Sequence, residues 1–258
     1  MKKRDIYLEI VKHCGYNLKY IENQDYEMCL RSVENYGTAL RYVKWKDLNL
    51  NKGQIYNLYL KAVKQNGNAL KYIDKQNEEL CLIAVKQDGN ALKHVKLDEF
   101  SKRQIYNICL EAVKQNGRSL IYVEEQLDEI CREAVKQNGL ALEYVKNKTY
   151  EVCLLAVKQT GWALAFIKEQ TYELCIEAIR QDSRALMFVK WEKLSNKLSK
   201  KQTEEICIEA LKQDIDALEY INLDELKEIY SKEELNEIYV EVSKRFKHVI
   251  KFLRNKKK

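Results

Sequence analysis

AVKQNG stands at residues 62–67 and returns unchanged at 112–117 and 134–139, while AVKQDG at 84–89 and AVKQTG at 156–161 each differ from it at one position. A catalytic motif normally occurs once per active site, whereas a hexapeptide rewritten along a chain of 258 residues marks a structural unit. Taking the residue four places before the V as position zero, the anchor falls at Tyr7, Cys29, Tyr59, Cys81, Cys109, Cys131, Cys153, Cys175 and Cys207. The spacings are 22, 30, 22, 28, 22, 22, 22 and 32 residues, and a degenerate tenth unit is placed at Tyr239.

Within a unit, Ile105, Ile108, Cys109, Ala112 and Val113 of QIYNICLEAVKQ recur at helical spacing and form one apolar stripe. Seven of the eight glycines follow the stripe, at position +8. They are expected to end the helix in the left-handed conformation that glycine enters without strain. A short second element follows, with leucine at +11 in all nine units, an aromatic at +13 in eight (His94 is the exception) and Val or Ile at +14. This pattern predicts one or two helical turns folded back on the first helix. So small a hairpin cannot bury its apolar face alone, so the units must stack. Proline is absent, apolar residues make up 46% and charged residues 33%. The expected fold is an all-α helical-repeat solenoid of about nine to ten short helical hairpins, in 22-residue units of which some extend to 28–32. Residues 1–221 form the solenoid in this reading, and 222–258 a C-terminal helical cap with a basic tail.

Spacers carry their own signals. Asp25, Asn77, Thr149 and Thr171 are expected to cap the helices that follow short spacers. After longer spacers Ser101-x-x-Gln104, Ser199-x-x-Gln202 and Ser231-x-x-Glu234 have the form of capping boxes. The pairs Trp45/Leu48, Leu97/Phe100 and Trp191/Leu194 predict an extra helical turn in each insert.

The AVKQNG-x-AL-x-YV core, with an acidic and polar spacer before C-L-x-A-V, resembles domain of unknown function 4116, a family of tandem helical repeats in bacterial and giant-virus proteins. The resemblance covers about residues 5–221. It implies a helical-repeat fold and carries over no activity, because the family has no established chemistry. Ser183 and Ile215 replace the stop glycine, and because a β-branched residue is costly at positive φ the ninth unit, which holds Ile215, is expected to turn differently.

Chemistry is hard to find in the sequence. Seven cysteines sit at the anchor, one per unit and without a C-x-x-C pair, as expected of small buried hydrophobes; Cys14 is off-register. Phosphate-loop, nucleophile-elbow and zinc-protease motifs are absent. No enzyme activity, metal, cofactor or small-molecule substrate is inferred. The charge of +6 is concentrated in residues 244–258, which hold eight basic residues and no acidic one; without them 37 basic residues face 39 acidic. No apolar run is long enough for a membrane span. The N-terminal MKKRDIYLEIVKHCGY lacks a continuous apolar core, so a cytoplasmic chain with no membrane partner is expected.

Two surfaces remain. A lysine at +5 recurs from Lys64 to Lys158, continued by Arg180 and Lys212. It reads either as a phosphate-tracking ladder or as charge that complements helix C-termini, and the second reading is preferred. Positions +9 and +12 vary between units. At +12 the first four units carry the basic ridge Lys19, Arg41, Lys71 and Lys93. Later units carry Arg118, Ile121, Leu140, Trp162, Arg184 and Met187, which have the composition of a protein-binding hot spot; in the other reading Trp162 and Leu140 extend the packing between neighbouring units. The function expected is therefore a non-catalytic binding scaffold, a protein–protein interaction module that docks a protein partner on that ridge. Trp162→Ala is expected to abolish binding and leave melting nearly unchanged. The alternatives are a nucleic-acid-binding solenoid that uses the lysines, or an inhibitor that blocks a larger nucleoprotein.

Overall fold

The computed structural model describes residues 3–194 and 198–214, with 217, 220, 230–234, 236, 237 and 240. Among these every regular element is helical. Two compact units are distinguished, Met1–Gln137 and Asn138–Lys258. The first contains α1 (Lys3–His13), α2 (Tyr26–Asn35), α3 (Lys52–Gln65), α4 (Glu78–Gln87), α5 (Lys102–Gln115) and α6 (Asp128–Gln137). The second contains α7 (Tyr150–Gln159), α8 (Tyr172–Gln181), the one-turn α9 (Trp191–Leu194) and α10 (Lys200–Gln213). A six-residue 3-10 helix follows each of α1 to α8, except that the one after α6 opens the second unit at Gly139–Tyr144. Within each unit the α-helices pack on their neighbours in chain order, except that α8 packs directly on α10, past the one-turn α9, and the 3-10 helices form a second row beside them. The fold is an all-α helical-repeat solenoid.

The second element is a 3-10 helix because its sequence has a period of three. Three residues per turn eclipse i and i+3, which stacks +8, +11 and +14 in one column: Gly117, Leu120 and Val123, for example, are all buried. The +9 and +12 side chains form the opposite, solvent-facing column.

The glycines do not adopt the left-handed conformation that the sequence suggested. No described residue, glycine or other, has a positive φ. The helix instead ends through an extended residue at +7, such as Asn66 at φ −150° and ψ 112°. In the glycine-bearing repeats the next helix leaves no room for a side chain at +8: a Cβ on Gly89 would lie 2.5 Å from the Ala112 carbonyl oxygen, and one on Gly139 2.6 Å from that of Ala156. Glycine is needed for close approach. Its freed N–H donates to the glutamine at +6 of the following helix, from Gly67 to Gln87 Oε1, Gly89 to Gln115, Gly117 to Gln137 and Gly139 to Gln159, each at 2.6 Å.

The hexapeptide is therefore an inter-repeat joint. Ala and Val fill the core, Gln receives the previous glycine, and Asn caps its own 3-10 helix by accepting the N–H two residues on, as Asn66 does from Asn68 at 2.9 Å. Ser183 holds the same +8 slot with a side chain. Ser183–Phe188 is a 3-10 helix capped by Asp182 like the others, but its joint differs, because Gln213, at +6 of the following α10, donates to the Ile179 carbonyl at 2.6 Å. Ile215, the tenth anchor Tyr239, the 221/222 boundary and the tail 244–258 lie outside the described residues.

The predicted caps are in place: Asp25, Asn77, Thr149 and Thr171 accept from Met28, Leu80, Val152 and Leu174 N–H, and Ser101/Gln104 and Ser199/Gln202 are reciprocal capping boxes. Ser231 and Glu234 exchange the same pair of bonds, at 2.8 and 3.2 Å. A fourth box, Asn51/Gln54, was not anticipated. In the inserts Leu97–Glu99 is a 3-10 turn, Trp191 and Leu194 are buried on α9, and Trp45 packs edge-on against Tyr59 at 5.4 Å.

A second glutamine completes the joint. Gln24 donates to the Leu18 and Tyr42 carbonyls at 3.0 and 2.9 Å and accepts Lys44 N–H at 2.9 Å. Gln170, 3% exposed, does the same with Leu164, Phe188 and Lys190 at 3.2, 2.8 and 2.9 Å. One side-chain amide thus ties together the ends of two successive 3-10 helices, pairing the Phe188 carbonyl and the Lys190 N–H and adding a second donor to the Leu164 carbonyl, which already accepts Ile167 N–H.

Candidate functional site

The solvent-facing +9/+12 column is where the repeats differ chemically. In the second unit Trp162 is 39% exposed and Met187 51%, Leu140 is half-buried and Arg184 is exposed. Asp182 organises the group. It caps its own 3-10 helix by accepting Arg184 N–H at 3.0 Å, pairs with the Arg184 guanidinium through Nε at 3.0 Å and Nη2 at 2.8 Å, and accepts the Trp162 indole N–H at 2.9 Å. The Arg184 guanidinium lies 5.5 Å from the centre of the Trp162 ring, and Phe188 meets that ring edge-on at 5.4 Å. Donation from Arg184, aided by the indole N–H, holds the Asp182 carboxyl below the usual carboxylate range. The indole is thus fixed in place with its polar atom satisfied. The same +9-to-+7 link occurs in the first unit, where Asn68 Nδ2 donates to Asp88 at 2.8 Å.

A family model described as Domain of unknown function (DUF4116) matches residues 3–48, 56–100, 106–149 and 128–171. The chain belongs to the DUF4116 family. Each matched segment spans two helix-plus-3-10 repeats, so the DUF4116 unit is a pair. No curated protein and no solved structure matches the chain.

Of the other DUF4116 residues singled out from the sequence, Arg118 and Ile121 belong to the first unit and are exposed, Ile121 at 55%. The basic ridge is also in the first unit: Arg41, Lys71 and Lys93 are exposed, and Lys19 is half-buried against tyrosines.

The +5 lysines differ from both. Lys86 and Lys114 pair with Glu111 at 3.4 Å, Lys136 with Glu133 at 2.8 Å, Lys158 with Glu177 at 3.8 Å, and Lys212 with Glu209 at 2.8 Å. Arg180 bridges Glu177 and Glu209 at 2.8 and 3.6 Å. A cation row interleaved with its own carboxylates has little net field with which to collect phosphates.

Anchor cysteines are buried, and burial pushes the thiols of Cys29, Cys81, Cys175 and Cys207 up to about 12; Cys14 is exposed. His94 occupies the aromatic slot half-buried, and burial, with Lys93 and Lys71 nearby, lowers its pKa. Among the described residues no group of three His, Cys, Asp or Glu could hold a metal ion, and no helix is long and apolar enough to cross a membrane.

Proposed function

We propose that this DUF4116 chain is a non-catalytic scaffold that docks a protein partner on the second unit's 3-10 face, centred on Trp162 and Met187 with Arg184 and Leu140 beside them. The observation that carries the reading is the fixed, half-exposed indole. Asp182 satisfies the Trp162 N–H internally, so what the ring offers solvent is apolar surface. A large ring ordered before binding loses little conformational entropy on docking, and Trp and Arg are the side chains that most often dominate interface energetics. The exposed Met187 supplies an adaptable apolar contact next to it. Arg118 and Ile121 remain candidates of the same kind on the first unit. A cytoplasmic setting belongs to this reading and is supported by free thiols throughout the chain.

The geometry changes the best test. Trp162 packs on Phe188 and bonds to Asp182, so Trp162→Ala also loses stability and is a poor probe of binding. Met187→Glu is cleaner. Tagged chain captured from host lysate after nuclease treatment should retain a protein in a stoichiometric amount. Met187→Glu should lose that protein while unfolding at the parent urea midpoint. Retention by the variant, or loss of the protein on nuclease treatment of the parent, would sink the proposal.

A further inference from the structure

The first unit carries a surface of different chemistry. Its first four 3-10 helices read GYNLKY, GTALRY, GNALKY and GNALKH: one cation each at +12, no carboxylate, and a ring at the last position. Each packs on the next, so Lys19, Arg41, Lys71 and Lys93 form a row. Rings knit the row together. Lys19 Nζ lies 4.0 Å from the centre of the Tyr16 ring and 4.4 Å from that of Tyr20. Tyr16 meets Tyr42 edge-on at 5.1 Å and Tyr36 at 6.3 Å. The Arg41 guanidinium then sits between Tyr42 at 5.1 Å and Tyr72 at 5.7 Å. Cations and rings alternate across three successive repeats. The neighbouring acid in this row, Asp88, is taken up by Asn68 Nδ2 and by the N–H of Asn90.

One of the tyrosines stands in a slot that usually holds a capping side chain. Tyr36 holds the +7 slot, where Asn66, Asp88, Asn116, Asn138 and Asp182 cap the 3-10 helix; the helix at Gly37, like those at Gly15 and Gly161, has no side-chain cap. In return the ring is 43% exposed, Tyr16 is 37% exposed and Tyr20 70%. A local rule given up for an exposed ring is a mark of function rather than of packing.

We propose that this strip binds single-stranded nucleic acid, with bases stacked on Tyr16, Tyr20 and Tyr36 and phosphates held by Lys19, Arg41, Lys71 and Lys93. Every unpaired base offers a π face and every nucleotide a charge, which is the alternation the strip presents. A duplex hides its base faces and would leave the rings unused. An acidic protein segment would engage the cations but has no use for exposed phenol faces. The proposal is independent of the Trp162 reading, since its residues all lie in the first unit.

Fluorescence anisotropy with the full chain tests it, using labelled oligothymidylate and oligouridylate of about 20 nucleotides, a duplex of equal length and an oligoglutamate peptide. Single strands should bind best, with log K falling against log salt at a slope of about −3, four phosphate contacts at roughly 0.7 each. Tyr36→Asn restores the repeat's usual cap, so it should melt no lower than the parent yet bind about tenfold more weakly, the loss of one stacked base. Tyr20→Ala should weaken binding similarly without unfolding the chain, and Arg41→Gln should flatten the salt slope by roughly 0.7. Single-strand binding that is absent at low salt, unchanged in both tyrosine variants, or matched by the duplex or oligoglutamate would overturn the proposal.

Discussion

Replacing Gly89 distinguishes the close-approach account of the repeat glycine from the helix-stop account that the sequence invites. A Cβ built on Gly89 lies 2.5 Å from the Ala112 carbonyl oxygen and 2.8 Å from Ser119 Oγ, whereas ordinary contact begins near 3.4 Å. The 3-10 helix and α5 must therefore part by up to about 0.9 Å, the difference between these two distances. That displacement stretches the Gly89 N–H···Gln115 bond from 2.6 Å to beyond hydrogen-bonding range. Overpacking costs about 1–3 kcal/mol and the lost bond about 1, offset by up to about 1 from the stiffer unfolded chain, so Gly89→Ala should lose about 2–3 kcal/mol. Urea unfolding followed by circular dichroism measures this, with midpoints compared directly because repeat arrays depart from two-state behaviour. Gly89→Asn is the discriminating variant. If the slot were left-handed, Asn would be the best tolerated replacement; against a carbonyl oxygen, its larger side chain should be at least as damaging as Ala. Gly53, exposed in the first turn of α3, is the control, and Gly53→Ala should stay within about 1 kcal/mol of the parent. An Asn variant more stable than the Ala variant, or a Gly89→Ala loss no larger than that of Gly53→Ala, would refute the reasoning.

Gln170→Leu should lose about 2–4 kcal/mol by leaving the Phe188 carbonyl and the Lys190 N–H without their buried partner, read as a lower urea midpoint and faster exchange of the Lys190 amide. Because the Asp182 carboxyl is held low by Arg184 and then by Trp162, its contribution is present above the unfolded value near 3.9 and is lost as pH falls through the depressed folded value. The Trp162 indole N–H resonance should therefore hold its position from neutral pH down to about 4 and move only below it. With a thiol reagent at mild alkaline pH, Cys14 should react quickly and the seven buried cysteines only after unfolding, giving one fast equivalent of the eight.

Much of this architecture was legible because the repeats print their signals many times. Asp25, Asn77, Thr149 and Thr171 announced helix starts through local capping chemistry, and the period of Leu, aromatic and Val/Ile located the second element. Gly89 and its equivalents were misread because a glycine after a helix looks the same whether it supplies positive φ or makes room for a neighbouring backbone. Only the next repeat's Ala112 carbonyl separates the two. The glutamines were missed for a related reason. Gln170 and Gln24 look like exposed spacer residues, yet their bonding groups come from the ends of two different 3-10 helices. Signals that act across repeats need either geometry or the recurrence of Gln five places before the anchor, as at Gln24, Gln76, Gln126 and Gln170. At the candidate surface, the variability of +9 and +12 correctly marked the exposed column. The role of Asp182 was invisible, because it links a side chain 20 residues upstream to its own neighbour Arg184.

The central claim is that AVKQNG joins repeats together while recognition belongs to the variable 3-10 face. Site-specific photocrosslinking tests it most directly, with a benzophenone amino acid placed in turn at Met187, which is half-exposed on that face, and at Lys114 on the ion-paired +5 row. The account predicts a discrete, nuclease-resistant protein adduct from position 187 and none from position 114. Adducts of equal yield at both positions, or at 114 alone, would contradict it.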